Sequence, residues 1–420
     1  MPLTQQFELS GNWKFCNMRV ILICTGGKSE IAGHHFSVRD IAAAFEASDI
    51  HVDIVLIVSD RNQKSAAFQQ VPHHKFETGT VGLAAVSRLN RLIKTLNPDA
   101  VLCFDEFAVR IAILATPFKR ELIIAVKPGW VNSNTWTNGV QKFILFTKEN
   151  FDFYKRTKRY EGVELFYIPN RVAAPAHNEL IRGLLIQSIP KLKHSSIIVM
   201  CPVRIDTNKG KIIESAIQLH RELSENQSVE LVIIGANQHP YYLEQLKRKY
   251  GDHHNIHFCC ENFLVTRLSE VIGAADIVVA AGRTVAEALL LGKTTYVVQT
   301  DGELPALVGS DNFQQLHYSN FTGRSKGNQK PDTSQLIENI STTAFDLAIQ
   351  ELGVMSGVKK YRAVILSPAK KVSSRRLIIT YFASALRVIG VLLRRKIKLA
   401  KRDKGQLNKS DAIKSRTLSR

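Results

Sequence analysis

Residues 274–298 read AADIVVAAGRTVAEALLLGKTTYVV. An apolar β-branched run, "DIVVA", enters a turn of small residues. A helical pattern, "TVAEALLL", leaves the turn, stops at Gly292 and gives way to a second apolar strand, "TTYVVQ" (294–299). Strand, helix and strand without polar alternation form the unit of a parallel sheet covered on both faces. One carboxylate, Glu287, interrupts the apolar helix. Thr284-x-x-Glu287 has capping-box spacing, which would contribute about 1 kcal/mol to the helix. A glutamate at the first turn after such a strand also lies where open α/β sheets bind their ligands.

The same unit repeats along the chain. "RVILICT" (19–25), "VDIVLIV" (52–58), "DAVLCF" (99–104), "ELIIAV" (121–126), "KFILFT" (142–147) and "VELFYIPN" (163–170) are strands, with helical patterns at 36–48 and 81–96. A second series begins at "SSIIVMC" (195–201) and continues through "ELVIIGA" (230–236), "IHFCC" (256–260) and the quoted stretch, with helices expected at 210–224, 241–249, 264–274 and 284–291. The reading is α/β, with two doubly wound, Rossmann-like domains. The expected divisions are 1–17 as an extension or mis-assigned start before Met18, 18–185 and 186–360 as the two domains, and 361–420 as a basic helix and tail. Residues 309–335 read as a polar loop, 334–353 as a helix and 401–420 as disordered.

Composition narrows the partners. The 420 residues carry a formal charge of +19, yet 358–420 holds nineteen Lys/Arg against two acids. The other 357 residues carry only +2. A nearly neutral body without an aromatic-basic surface argues against nucleic acid. The six cysteines form no C-x-x-C pair, and most sit in strands, so buried reduced thiols are expected. His34-His35, His73-His74 and His253-His254 are adjacent pairs rather than ligands spaced for a metal, so no metal site is expected. Residues 1–17 lack a basic start followed by an apolar run, and no run reaches the roughly 18–20 apolar residues of a spanning helix.

The second strong motif is "CPVRIDTNKGKIIESA" (201–216), which follows a strand and opens a helix. Arg204 and Lys209 lie in the turn, where a guanidinium fork, an ammonium and helix-start amides would suit a diphosphate; a solvated basic loop is the bland alternative. In the first half, Gly26-Gly27 ends the first strand. "GGKS" is not a phosphate-loop motif, because no glycine stands four residues before its Gly-Lys pair. His34 and His35 either contact an acceptor or simply begin a helix. Asp105 and Glu106 end a strand facing the same crevice, and either could act on an acceptor hydroxyl or be an ordinary solvated acid.

These motifs resemble the GT-B glycosyltransferases, in particular the large retaining group called family four or group one. In that group the first stretch reads G-R-L-x-x-x-K-G; here Arg204, Lys209 and Gly210 match and Val203 replaces the first glycine. "LVIIGAN", "AADIVVA", "EALLLGKTTYVV" and "IPNRV" also match, and the resemblance covers about 18–310. It implies that Arg204 and Lys209 act on the donor diphosphate, that Glu287 contacts the nucleotide ribose, and that Gly26 and Gly27 form the turn approached by donor and acceptor. Two departures follow. Val279 stands where the group has its first, sugar-contacting glutamate, and Gly302-Glu303-Leu304-Pro305-Ala306 replaces its G-G-x-P-E loop. Gly282-Arg283-Thr284 occupies the donor loop, where its amides could cup a phosphate. Lys127 stands where the group often has a histidine. The resemblance implies metal-independent transfer from a nucleotide-sugar, with the anomeric configuration retained and no further cofactor. Two alternatives are a non-hydrolysing sugar-nucleotide epimerase of the same fold and a non-catalytic relative that binds a membrane partner.

The segment "SSRRLIITYFASALRVIGVLLRRKIKLAKR" (373–402) places Thr380, Ser384 and Arg387 in a narrow polar stripe on an apolar helix, followed by Arg394, Arg395, Lys396 and Lys398. Such a helix suits an anionic membrane surface, or the return of a last helix to the first domain. The expectation is a cytoplasmic enzyme peripheral to the inner face of the membrane, acting on a glycan or lipid-linked acceptor in surface polysaccharide or lipopolysaccharide assembly.

Overall fold

The structure, a computed structural model, describes residues 18–26, 33–60, 65–78, 83–117, 119–129, 132–133, 139–176, 178–193, 196–225, 227–251, 253, 255–300, 304–325, 342–368 and 378–390. Gly27, Cys16, the 301–303 loop and the expected tail 401–420 lie outside these residues.

The first domain runs β1 (Met18–Thr25), α1 (Gly33–Glu46), β2 (Ile50–Val58), β3 (His74–Glu77), α2 (Leu83–Leu96), β4 (Ala100–Cys103), α3 (Glu106–Ala115), β5 (Ile123–Lys127), β6 (Lys142–Leu145), α4 (Lys148–Arg156) and β7 (Glu164–Tyr167). Its seven strands are parallel in the order β3-β2-β1-β4-β5-β6-β7. The completely apolar Val20–Cys24 is buried at the centre between β2 and β4. The edge strand β3, "HKFE", has no residue fully buried. Its polar, four-residue sequence gives no strand signal; pairing with Val55–Val58 makes it a strand.

The second domain runs α5 (Leu180–Ser188), β8 (Ile197–Pro202), α6 (Gly210–Ser224), β9 (Val229–Ile234), α7 (Pro240–Tyr250), β10 (Ile256–Cys259), α8 (Asn262–Thr266), α9 (Leu268–Val271), β11 (Ile277–Ala280), α10 (Arg283–Leu290), β12 (Thr294–Val297), β13 (Ala306–Leu307) and α11 (Phe313–Tyr318). The strand order is β10-β9-β8-β11-β12-β13, antiparallel only at β12–β13. The single helix expected at 264–274 is broken into α8, α9 and a 3-10 turn at Ile272–Ala274. The polar stretch read as a loop from 309 holds α11, because Phe313 and Leu316 reach the core of the second domain.

The chain then returns to the first domain. α12 (Thr342–Leu352) packs on α10, and α13 (Val354–Leu366) lies against α1. Val358, Tyr361, Val364 and Ile365 of α13 join the core that contains Phe45 and Ile41 of α1. α13 therefore runs unbroken through 360–361, where the sequence placed a domain edge. Its C-terminal carbonyls are held by the buried Lys142 of β6, whose Nζ donates to Val364 O at 2.8 Å and Ile365 O at 3.3 Å. A cation at a helix C-terminus complements the helix dipole. Residues 378–390 form a last helix, α14. Among the described residues, no helix is long and apolar enough to cross a membrane.

Candidate active site

Both sheets change winding direction at their centres, between β1 and β4 and between β8 and β11. Ligands of open α/β sheets bind at such switch points, outside the carboxyl ends of the strands. Every candidate residue within the described chain lies at one of these two places or on the helix that follows, except Lys127, which ends β5.

At the second switch point, β8 leaves Pro202 into a tightly pinned loop. Val203 N donates to Ile234 O at 2.9 Å, Ile205 N to Ala236 O at 3.0 Å, and Gln238 N to Ile205 O at 3.1 Å. This clamp requires Gly235: a Cβ there would sit 1.9 Å from Val203 O. Arg204 is thus presented from a rigid backbone. Asp206 caps the following turn by accepting from Asn208 N at 2.8 Å, and that turn ends at Lys209, where α6 begins. Arg204 and Lys209 are both half-buried. Burial, and then the Arg204 charge, pushes the Lys209 ammonium below its ordinary value, with Asp206 opposing. Neither cation is hydrogen-bonded to a carboxylate of the described residues. Two repelling cations held on a fixed loop favour an incoming anion.

Val278 pairs with Met200, so β11 ends at the same level as β8. The turn after it uses Gly282 at φ 70°, a left-handed conformation that favours glycine, and Gly282 N donates to Phe321 O at 2.7 Å. The capping box expected from Thr284 is not formed, since α10 starts at Arg283 with Gly282 before it and no side-chain cap. Glu287 faces Arg283 instead, accepting from its Nε at 2.8 Å on Oε1. The same guanidinium crosses to the first domain, donating to Asp40 Oδ2 on α1 and to Ser37 Oγ at 3.4 Å. Asp40 also accepts from Ala173 N at 2.9 Å, and Ser37 Oγ donates to Asn170 Oδ1 at 2.9 Å. Asp40 is 2% exposed and Glu287 7% at their side chains. Burial works against the Arg283 charge, but Glu287 and Asp40 outweigh it and raise its pKa. Glu287 Oε2 accepts no bond from a described residue. Val279 packs inside β11 with the α6-side core, so a carboxylate at 279 would be buried in apolar packing.

At the first switch point three candidates converge on the end of β1. His35 Nε2 donates to Thr25 O at 2.9 Å, because a carbonyl only accepts; its Nδ1 therefore accepts from Ser65 Oγ at 2.9 Å. Burial first, then His34, pushes its pKa down to about 4. Both ring nitrogens are committed, so His35 holds the β1 turn. Asp105 caps α3 by accepting from Ala108 N at 2.9 Å and ties Thr25 N at 2.7 Å. Gly26 N donates to Ile57 O at 2.8 Å, which keeps that turn against β2. Lys127, at the end of β5, donates to Gly129 O at 2.6 Å; burial first, and then Arg324, lowers its pKa to about 8.

A second bridge spans the domains. Arg324 donates from Nε and Nη2 to Glu149 Oε2 of α4 at 3.2 and 2.6 Å, and Tyr318 OH donates to Asp152 at 3.1 Å. Asp40, Ser37, Glu149 and Arg324 were not among the sequence candidates. Asp40 alone left a signal, as a lone acid on the buried face of α1 beside Val38, Ile41 and Ala44. No hydrogen bond or ion pair joins Arg204 or Lys209 to the Arg283 group among the described residues. No group of three metal-ligating side chains occurs among the described residues.

Scans against protein-family models and curated proteins give no match. Solved structures do match. HepE of Anabaena, solved in complex with UDP and with UDP-glucose, is 14% identical with a TM-score of 0.56, over 83% of this chain and 99% of that one. Sucrose-phosphate synthase from Thermosynechococcus elongatus is 14% identical with a TM-score of 0.52, over 91% and 100%. A Listeria monocytogenes structure described as a UDP-N-acetylglucosamine 2-epimerase is 14% identical with a TM-score of 0.51, over 85% and 100%. Two parallel-sheet, Rossmann-like domains, each with its switch point at the crevice, and a C-terminal helix that returns to the first domain have the GT-B fold.

Proposed function

We propose that the chain is a glycosyltransferase that moves a sugar from a nucleotide-sugar to a hydroxyl acceptor. The observation that carries this is the Arg204–Lys209 pair, two half-buried cations without a carboxylate hydrogen-bond partner, on a loop clamped at the switch point of the second sheet. The donor diphosphate would lie against them. Each charge-assisted hydrogen bond contributes about 1.5–3 kcal/mol, and the two cations stabilise the charge that develops on the leaving diphosphate without a metal. Glu287 Oε2 is the acceptor left for the ribose hydroxyls, while Arg283, Gly282 and Thr284 shape the donor loop. The acceptor would enter from the first domain, where His35 and Asp105 hold the Gly26 turn in place; Gly27 follows it in sequence. Retention of configuration rests on the family resemblance. The basic C-terminal segment supports a glycan or lipid-linked acceptor, met at the cytoplasmic face of the membrane during surface polysaccharide assembly. HepE, which shares the fold, is known with UDP-glucose bound.

A second reading has one observation in its favour. Arg283 holds Glu287 Oε1 and reaches Asp40 of the first domain without any ligand, as a non-catalytic domain bridge would. Thermal shift against UDP-, GDP-, ADP- and CMP-sugars separates the two, since a ligand that binds only the folded state raises its stability. The transferase reading expects one nucleotide class to stabilise the wild type and to lose that effect in Arg204→Ala/Lys209→Ala. No stabilisation by any class supports the bridge. Turnover of the donor alone, without acceptor, identifies the epimerase.

A further inference from the structure

The last helix sits on the body with its polarity inverted. Thr380, Ser384 and Val388 are buried against the first domain, and Val388 belongs to the core lined by α2 and α3. Arg387 Nη1 lies 3.6 Å from Glu106 Oε1, at the first turn of α3. On the other side, Ile378 (58%), Ile379 (59%), Phe382 (62%), Leu386 (71%) and Ile389 (42%) are exposed. At about 100° per residue these five fall within one stripe about 100° wide. The polar stripe noticed in the sequence is therefore the docking face, and the apolar stripe is what the molecule presents outward. Scattered exposed apolar residues are ordinary, but five aligned on one thirteen-residue helix are a surface with a partner.

We propose that this apolar stripe is the surface by which the chain enters the interface of an anionic lipid bilayer. Charge selects the occupant. The sequence continues after the helix with 391–420, which holds eleven Lys/Arg and two acids, and before it stand Lys370, Lys371, Arg375 and Arg376. An apolar stripe flanked in sequence by cations on both sides matches acyl chains bordered by anionic headgroups, and a second copy of the same cationic segments would repel it. The Arg387–Glu106 pair fixes the helix beside the crevice end of α3, next to Asp105. The bilayer then lies along the first domain, beside the mouth through which an acceptor would enter. This deepens the membrane part of the proposed function and stands apart from glycosyl transfer.

The test uses the full chain with vesicles of equal parts phosphatidylcholine and phosphatidylglycerol. Phe382→Trp should be quenched by lipids brominated on the acyl chain, beyond the quenching seen in the wild type. Phe382→Asp/Leu386→Asp should lower vesicle partitioning by on the order of ten-fold per residue, with an unchanged melting temperature because both positions are exposed. Arg394→Ser, Arg395→Ser, Lys396→Ser and Lys398→Ser, introduced together into the Phe382→Trp variant, should weaken binding to anionic vesicles while the acyl-chain quenching persists on the fraction that remains bound. Wild-type partitioning of the double aspartate variant overturns the proposal. So does a self-association seen in sedimentation velocity that Leu386→Asp abolishes, which would make a second copy the occupant. Nucleotide-sugar thermal shifts on the same variants keep this result separate from the transferase question.

Discussion

His35 shows how one side chain can read as chemistry and act as architecture. It stands at the crevice, but both ring nitrogens are spent on Thr25 and Ser65. Burial lowers its folded-state pKa to about 4, against 6.5 ordinarily. Between these values the unfolded chain takes up a proton that the folded chain refuses. The stability His35 contributes is thus complete above pH 6.5 and drains away as the pH falls toward 4. The full effect is on the order of 3 kcal/mol. Burial also lowers His317, to about 4, and His220, so both act in the same direction. Urea midpoints measured from pH 7 to pH 4 should fall, and His35→Gln should flatten that slope by close to one proton. An unchanged slope would mean that His35 is already charged in the fold. Glu287 answers its question at this scale too: no side chain caps its helix, and its Oε1 is held by Arg283.

At the scale of elements, the β8–α6 loop is built by its neighbour. Arg204 depends on the close approach of Val203 to Gly235, which no other residue permits without movement. Gly235→Ala should destabilise the domain by about 1–3 kcal/mol through overpacking. It should also weaken nucleotide-sugar binding by at least roughly ten-fold as the loop shifts, given about 1.5–3 kcal/mol per charged hydrogen bond. Denaturant titration and calorimetric titration report the two effects; intact affinity with lowered stability would detach Arg204 from the donor. The returning helices follow the same logic. Lys142 of β6 holds the end of α13, and Arg171 donates to Gln350 O at 2.9 Å and Ser356 Oγ at 2.6 Å between α12 and α13. Basic residues of the first half thus terminate helices of the second.

Across the whole molecule, two ion pairs draw the crevice together, Arg283 with Asp40 and Arg324 with Glu149. The first is buried, and truncating Asp40 removes the cross-domain partner of Arg283 while Glu287, on its own helix, still pairs with it. Asp40→Ala/Arg324→Ala should therefore keep its secondary structure by circular dichroism yet show a larger radius of gyration in X-ray scattering. An unchanged scattering curve would place domain closure in the α13 packing rather than in the pairs.

The architecture was legible in the chain because it rests on local physics. Fully apolar strands such as 20–24 and helical patterns such as 210–224 announce a covered parallel sheet wherever they occur. The strand-to-helix turns at Arg204 and Gly282 followed from that alternation alone. What the tertiary structure decided was partnership over long separations. Arg283 meets Asp40 across 243 positions, Lys142 meets Val364 across 222, and β3 is a strand only because β2 lies beside it. The direction of the last helix was of the same kind. Its sequence shows a polar stripe and an apolar face but not which one is buried, since that depends on whether the surface awaiting it offers Glu106 or more hydrocarbon. Periodicity is written within one turn of helix; the partner that gives it meaning is supplied from elsewhere in the fold.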